Sequence, residues 1–477
     1  MKRAVALGGL LAIAGCSLAP ELPAPEVPTP VAYKEAPGEF TGDWKVATPA
    51  DDADRGAWWT VFRDPMLDDL VARATAENPG LQAALARVEA ARALVKVAKS
   101  AQRPRLDLGF SGARVQPSKV PPLFGNDVRE RYTTLSARIF ASYELDLFGR
   151  VRDTVAASRA DLGAQRALYA GLLLTLQSDV AETYFLLRAA DDELAVLRGT
   201  VKLREEAVRL LESRLQAGGI GEFDVRSQQA DLEIARADVQ ATERERAQYE
   251  HALAVLCGRA PAEFTLAPRR PGRALPAIPP GLPSTLLERR PDIAAAQRRM
   301  VAANARIGVA KAAFYPVVNL TADFGVEGTG FDNLFEWSSR TWALGPAFGA
   351  IASGALASLP IFNAGRNEAN LAAREAELDA EIATYRQTVL NAFGEVEDGL
   401  SGLRTLAGQM TALTNAIAAA EDAYRIATAR YEAGATGFLE VLDARRTLVA
   451  VRRQEARLNG ARAATTVTLI RALGGGW

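Results

Sequence analysis

Apolar and polar positions along the chain follow two different rhythms. Leu106, Leu108 and Phe110 alternate with Asp107, Gly109 and Ser111. Ile139, Ala141, Tyr143, Leu145 and Leu147 alternate with Ser142, Glu144 and Asp146. Val318, Leu320, Ala322, Phe324 and Val326 alternate in the same way with Asn319, Thr321, Asp323 and Glu327. A period of two marks a strand with one apolar and one polar face. Strands are therefore predicted over about 105–115, 132–147 and 317–327, with a fourth, less regular one within 342–362.

The second rhythm is helical. No proline interrupts the chain from Arg150 to Arg214, and Leu172, Leu176, Val180, Leu187, Leu194 and Leu197 recur at helical spacing. At 1.5 Å per residue, a helix of about 65 residues extends roughly 95 Å. A Gly-rich turn leads into a partner helix from Glu222 to about Val255. Arg366 to Glu432 and Phe438 to Leu473 repeat the arrangement.

The repetition is written in the residues as well. At an offset of 212, Pro79 meets Pro291, Leu81 meets Ile293, Ala98-Lys99 meets Ala310-Lys311, and Pro104 meets Pro316. At an offset of 216, Ala217-Gly218 meets Ala433-Gly434 and Gly221 meets Gly437. Phe148-Gly149-Arg150 pairs loosely with Phe362 and Gly365-Arg366. The chain reads as an internal duplication, a first repeat over 39–260 and a second over 284–477, joined by a Pro-rich linker at 261–283. Each repeat runs helix, strand, strand, helix, helix.

The N-terminus adds a membrane. Lys2 and Arg3 precede a short apolar run, Ala4 to Ala14, too short to span a bilayer as a helix. It ends in Ile13-Ala14-Gly15-Cys16, which resembles a lipobox: residues 1–15 would be a signal peptide, and Cys16 would carry diacylglycerol and an N-acyl chain. By resemblance to bacterial lipoproteins, the non-acidic Ser17 permits transfer to the outer membrane. Residues 16–38 read as the lipid anchor and a Pro-rich tether. No later stretch is long and apolar enough for a transmembrane helix, so any crossing must use strands. Single-chain barrels begin at about eight strands. An open edge in lipid leaves backbone groups unpaired at several kcal/mol each. Four strands per chain therefore require association.

The residues also carry a family likeness. The chain resembles TolC-like outer membrane factors, in particular the lipidated OprM/NodT-type branch attached to resistance–nodulation–division pumps. The likeness rests on the lipobox at Cys16; Trp58-Trp59 followed by Phe62, Asp64-Pro65 and Leu67; Asn78-Pro79; Glu144-Leu145-Asp146-Leu147-Phe148-Gly149; Glu288-Arg289-Arg290-Pro291-Asp292-Ile293; Pro360-Ile361-Phe362; and Phe393-Gly394-Glu395-Val396-Glu397-Asp398. It implies an α+β membrane protein: a homotrimer whose twelve-strand β-barrel continues into a long α-helical periplasmic tunnel with an equatorial collar. It implies the partners too, a periplasmic membrane-fusion adaptor, an inner-membrane antiporter of the resistance–nodulation–division class, and outer membrane lipid. The function implied is a passive exit duct for drugs and other small molecules.

The two tips, Ala217 to Phe223 and Ala433 to Leu439, hold Gly218, Gly219, Gly221, Gly434 and Gly437, residues that permit tight helix reversal. Glu440 and Asp443 follow the second tip and share a helical face. The likeness sets them where the lumen narrows, as two carboxylate rings of a periplasmic gate. Carboxylates about 8 Å apart repel by roughly 2 kcal/mol per pair at an effective dielectric near 20. Such rings favour cations. A solvated helix N-terminus is the alternative reading of the same acids. By the same likeness, Tyr431 and Asp224 match a possible latch pair between neighbouring tip helices of one family member, while Thr436 stands where that member has an arginine that reinforces the latch.

Composition narrows the alternatives. A net charge of −1 in 477 residues gives no nucleic-acid footprint. His251 is the sole histidine, and Cys257 the only cysteine besides Cys16, best read as a buried thiol. No phosphate loop, metal-ligand spacing or nucleophile elbow appears, and no enzyme, metal or free cofactor is expected. A protein-secretion or metal-efflux channel, and a lipid-anchored structural coiled coil, stay open as alternatives.

Overall fold

The computed structural model describes residues 17–22, 27, 30, 32–35, 56–116, 131–269, 276, 288–348 and 363–475. Cys16, most of the tether and linker, residues 117–130, and 349–362 lie outside the described residues. The chain divides into two compact units. One comprises Met1–Glu26, Arg87–Arg166 and Ala295–Arg386, and the other Val27–Ala86, Ala167–Ala294 and Gln387–Trp477.

In chain order, α1 (Pro65–Glu77) and α2 (Pro79–Ser100) precede β1 (Arg105–Val115) and β2 (Tyr132–Leu145). Then come α3 (Arg150–Gln216), α4 (Glu222–Leu256) and α5 (Pro291–Ala312). β3 (Val318–Gly328), β4 (Arg340–Phe348), α6 (Arg366–Glu432) and α7 (Phe438–Ala472) complete the chain. The duplication shows in the lengths: α2 and α5 have 22 residues each, α3 and α6 have 67, and α4 and α7 have 35. The loosely paired Gly149 and Gly365 are equivalent at the same offset as the tips, each at φ 78° immediately before its 67-residue helix. No described helix is long and apolar enough to cross a membrane.

Two boundaries differ from expectation. β4 begins at Arg340, two residues ahead of the span read from sequence, and is described only to Phe348. Its Gly345 and Pro346 interrupt the alternation that marks the other strands. The connection from β3 to β4 runs over residues 329–339 and ends in a 3-10 turn at Trp337–Ser339. β2 ends at Leu145 rather than 147, since Asp146 turns to cap α3, accepting from the amides of Val151 (3.0 Å) and Arg152 (2.8 Å).

In the first unit the strands form one antiparallel sheet in the order β1-β2-β3-β4. Leu108, Ile139, Phe324 and Trp342 stand in register across all four strands. Leu108, Phe324 and Trp342 are 62%, 58% and 75% exposed. On the opposite face Arg138 reaches Asp323 and Glu327, and Ser111 bonds Ser136 at 2.8 Å. An exposed apolar face backed by a polar, ion-paired one is the pattern of a lipid-facing, water-lined sheet. β1 and β4 are its edges.

In the second unit a core forms around Leu67, Leu70, Val71, Tyr184, Leu187, Leu253, Val467 and Ile470. Each such side chain contributes about 1.5–3 kcal/mol on burial. The Trp58–Pro65 string earns its place here. Trp58 is buried with its indole N–H on Gln177 (3.2 Å). Asp64 caps α1 at the Met66 amide (3.0 Å) and accepts from the Tyr184 hydroxyl (2.7 Å). Cys257 is fully buried, with Sγ donating to the Leu70 carbonyl, and burial pushes its pKa to about 11. The Arg290-Pro291-Asp292 string is a clamp: Arg290 holds Asp292 (2.7 Å), Glu395 (2.6 Å) and the Ala472 carbonyl (3.0 Å).

Candidate gate at the hairpin tips

Both tips are closed by the same device. Gly219 N donates to the Arg214 carbonyl and Gly218 N to that of Leu215, each at 2.9 Å. In the second tip Ala435 N donates to Arg430 (2.8 Å) and Gly434 N to Tyr431 (2.9 Å). These paired bonds are Schellman motifs, which need a left-handed residue at the reversal. Gly218 (φ 75°) and Gly434 (φ 70°) supply it. Gly221 and Gly437 do other work: in extended conformation they precede α4 and α7 as N-caps. Gly219 carries the amide that closes the first motif.

Glu440 and Asp443 sit in the exposed first turns of α7, in different settings. Glu440 pairs with Arg430 at 3.0 Å and accepts from the Thr436 hydroxyl. The Asp443 carboxylate has no hydrogen-bond or ion-pair partner among the described residues, so it presents the less compensated charge. Thr436, lacking an arginine's reach, thus bonds Glu440 and neither Tyr431 nor Asp224.

The latch residues take partners that sequence reasoning missed. The Tyr431 hydroxyl accepts from Arg214, whose guanidinium lies 5.3 Å from the ring centroid. Phe438 packs on the same ring at 5.3 Å. Asp224 lies half-buried in the first turn of α4 and is not a partner of Tyr431 within the chain. The repeat held a clue, because Arg214 is the counterpart of Arg430 at the offset of 216.

Above the tips, arginines of α7 bind acids of the other hairpin. Arg446 pairs with Asp231. Arg453 bridges Glu193 (3.1 Å) and Asp238 (2.9 Å), and Arg457 also reaches Glu193 (2.7 Å). Glu193 is buried, with a side chain 3% exposed. Asp231 and Asp238 on α4, like Arg446 and Arg453 on α7, are seven residues apart, the repeat of packed helices.

In the other unit, the residues just after Cys16 dock on helices. Ser17 Oγ donates to Asp153 (2.7 Å) in the first turn of α3. The Pro20 carbonyl accepts from Asn304 (2.8 Å), and Leu22 packs against Met300, Ala303, Ile307 and Leu378. Asp153 lies eight residues beyond the end of β2, so the strap is held beside the sheet. A Cβ at Gly308 would stand 2.2 Å from Asp153 Oδ2 and 2.8 Å from Ala19 N. Gly308→Ala is expected to displace the strap at a cost of about 1–3 kcal/mol. Limited proteolysis should then cut near residues 17–22 while helix content is unchanged; equal protection would count against the docking.

Comparison with known proteins follows the same lines. The profile described as outer membrane efflux protein matches residues 70–259 and 282–475. The chain is 35% identical over 475 residues to the toluene efflux pump outer membrane protein TtgF of Pseudomonas putida, covering 98% of this chain and 95% of that protein. It is 32% identical over 469 residues to the cation efflux system protein CusC of Escherichia coli, covering 98% and 97%. The solved Campylobacter jejuni CmeC outer membrane channel superposes with a TM-score of 0.84 at 26% identity, over 97% of this chain and 95% of that one. With its profile match spanning both repeats and its relatives aligned almost end to end, the chain belongs to the outer membrane efflux protein family.

Proposed function

We propose that the chain is the outer-membrane exit duct of a tripartite efflux pump, a homotrimer anchored through a lipidated Cys16. The observation that carries this reading is the four-stranded sheet, apolar and exposed on one face, leading through Gly149 and Gly365 into helices of 67 residues. Three copies supply twelve strands, join the β1 and β4 edges, and remove the open edges that lipid forbids. The helices then continue the lumen into the periplasm, and the hairpin tips close it.

The duct needs no catalytic group. An inner-membrane antiporter of the resistance–nodulation–division class supplies the work, and a periplasmic adaptor docks on the tips and parts the hairpins. Glu440 and Asp443 ring the narrowed lumen, where repelling carboxylates hold cations. The names of the relatives support a duct that leaves selection to the pump, since one serves toluene efflux and another cation efflux on chains of comparable similarity. Drugs and other small amphiphiles are the cargo favoured here. The docked strap beside the sheet supports a lipid anchor at the barrel's periplasmic rim.

Cells lacking the chain should accumulate ethidium, a lipophilic cation, and the native copy should restore its expulsion. Unchanged accumulation would remove the drug-efflux reading. Labelling with radioactive palmitate should mark the native protein and not Cys16→Ser; equal labelling would remove the anchor.

A further inference from the structure

Behind the Tyr431–Arg214 contact lies a cavity of about 270 Å³, walled by α3, α4, α6 and α7. Small-molecule pockets run from about 300 Å³ upward, so this one suits a single substituted ring. Its body is apolar, with Leu203 and Leu210 from one hairpin and Phe438 and Leu442 from the other.

Its polar groups are unusual in being unmet. Gln228 is fully buried, and both its Nε2 and its Oε1 have no hydrogen-bond partner. Buried carboxamides are nearly always bonded. One turn along α4, the Asp231 carboxylate is taken by Arg446, and Arg204 must settle for the Asp231 main-chain carbonyl. Arg204 makes no ion pair among the described residues. Burial pulls its pKa down, the Asp231 carboxylate offsets part of this, and the nearby Arg446 and Arg445 lower it further. The cavity thus offers a half-buried guanidinium with no ion pair of its own, a carboxamide short of one acceptor and one donor, and apolar walls, with the acids Glu206, Asp231 and Glu432 balancing the arginines Arg204, Arg445 and Arg446 in the lining.

We propose that this cavity is a binding site for a small hydroxylated aromatic carboxylate. The carboxylate accepts from Arg204 and from Gln228 Nε2, the ring hydroxyl donates to Gln228 Oε1, and the ring lies among Leu203, Leu210, Phe438 and Leu442. Water alone satisfies the carboxamide but leaves the apolar walls without contact, which is why a ring is favoured. Because the walls come from both hairpins, the occupant ties them together.

The probe is 5-bromosalicylate, added to the purified full-length lipoprotein in detergent. Titration calorimetry should give saturable binding, and the bromine anomalous peak should fall within this cavity. Gln228→Leu keeps the side chain's bulk and removes both polar atoms; it should weaken binding at least about tenfold. Ala207→Phe, which fills the cavity without touching the polar groups, should abolish it. The native melting temperature should rise with the probe, and that of Ala207→Phe should not. Equal affinity in either folded variant, a bromine peak only elsewhere, a peak in crystals with no heat in solution, or no binding to the native protein would each overturn the assignment. None of these readouts depends on channel activity, so the site and the duct can fail separately.

Discussion

Asp191→Ala should lower the stability of the second unit by about 3–5 kcal/mol, the usual cost of breaking a buried ion pair by removing one partner. Asp191 is held from three directions: by Arg188 (2.8 Å), by Arg246 (2.6 Å), and by the Arg269 amide (3.1 Å). The side chains of Arg188 and Asp191 are 1% and 2% exposed, so neither can turn to water without local unfolding. The two arginines also hold the segment after α4, through the carbonyls of Ala267 (2.8 Å) and Leu266 (2.5 Å). Removing the carboxylate leaves the buried Arg188 guanidinium without its ion pair, while Arg246 keeps only Glu250 (3.2 Å). The loss should appear as a lower urea midpoint and as cleavage within residues 264–269. Asp191→Asn, which keeps two hydrogen bonds and loses the charge, should fall between. A loss under about 1 kcal/mol for Asp191→Ala would mean that the site relaxes or hydrates, and that this clasp does not hold the 264–269 segment.

The second large effect is expected at the tips. Asp231→Asn combined with Tyr431→Phe removes the Arg446 ion pair and the Arg214 hydrogen bond while preserving shape. Each contact contributes about 1 kcal/mol net. If three chains part together, the six lost contacts shift the closed-to-open balance by roughly four orders of magnitude, at about 1.4 kcal/mol per tenfold. The variant channel should open spontaneously in planar bilayers far more often than the native one. Arg453 and Arg457, still bound to Glu193, should keep the upper hairpins together, so helix content and melting should change little. An open probability unchanged within a factor of ten would place the closing force elsewhere, in contacts between chains.

Much of this architecture is legible in the residues because it is written in periods. Strict alternation marked β1, β2 and β3 to within two residues, since each has one wet and one apolar face. Unbroken helical spacing marked the long helices, and the glycine pairs marked their reversals. β4 was less legible, because glycine, proline and alanine leave its register to the neighbouring strand. α1 escaped notice as a separate helix, although Asp64-Pro65 is a clear start signal. The partners of the tip residues were the least visible. Arg214 reaches Tyr431 across 217 positions, and Arg446 reaches Asp231 across 215, contacts that arise only when the two hairpins pack side by side. The heptad spacing of the acids on α4 and the arginines on α7 was present in the sequence, but a spacing cannot choose its partner face.

The most direct test of a closed, acid-ringed duct is single-channel recording of the purified protein in planar bilayers, native beside Glu440→Ala/Asp443→Ala. The native protein should give small, cation-selective currents, and the double variant currents that are larger or have lost their cation preference. Folded, membrane-inserted protein that carries no current at all, in either form, would contradict the duct itself.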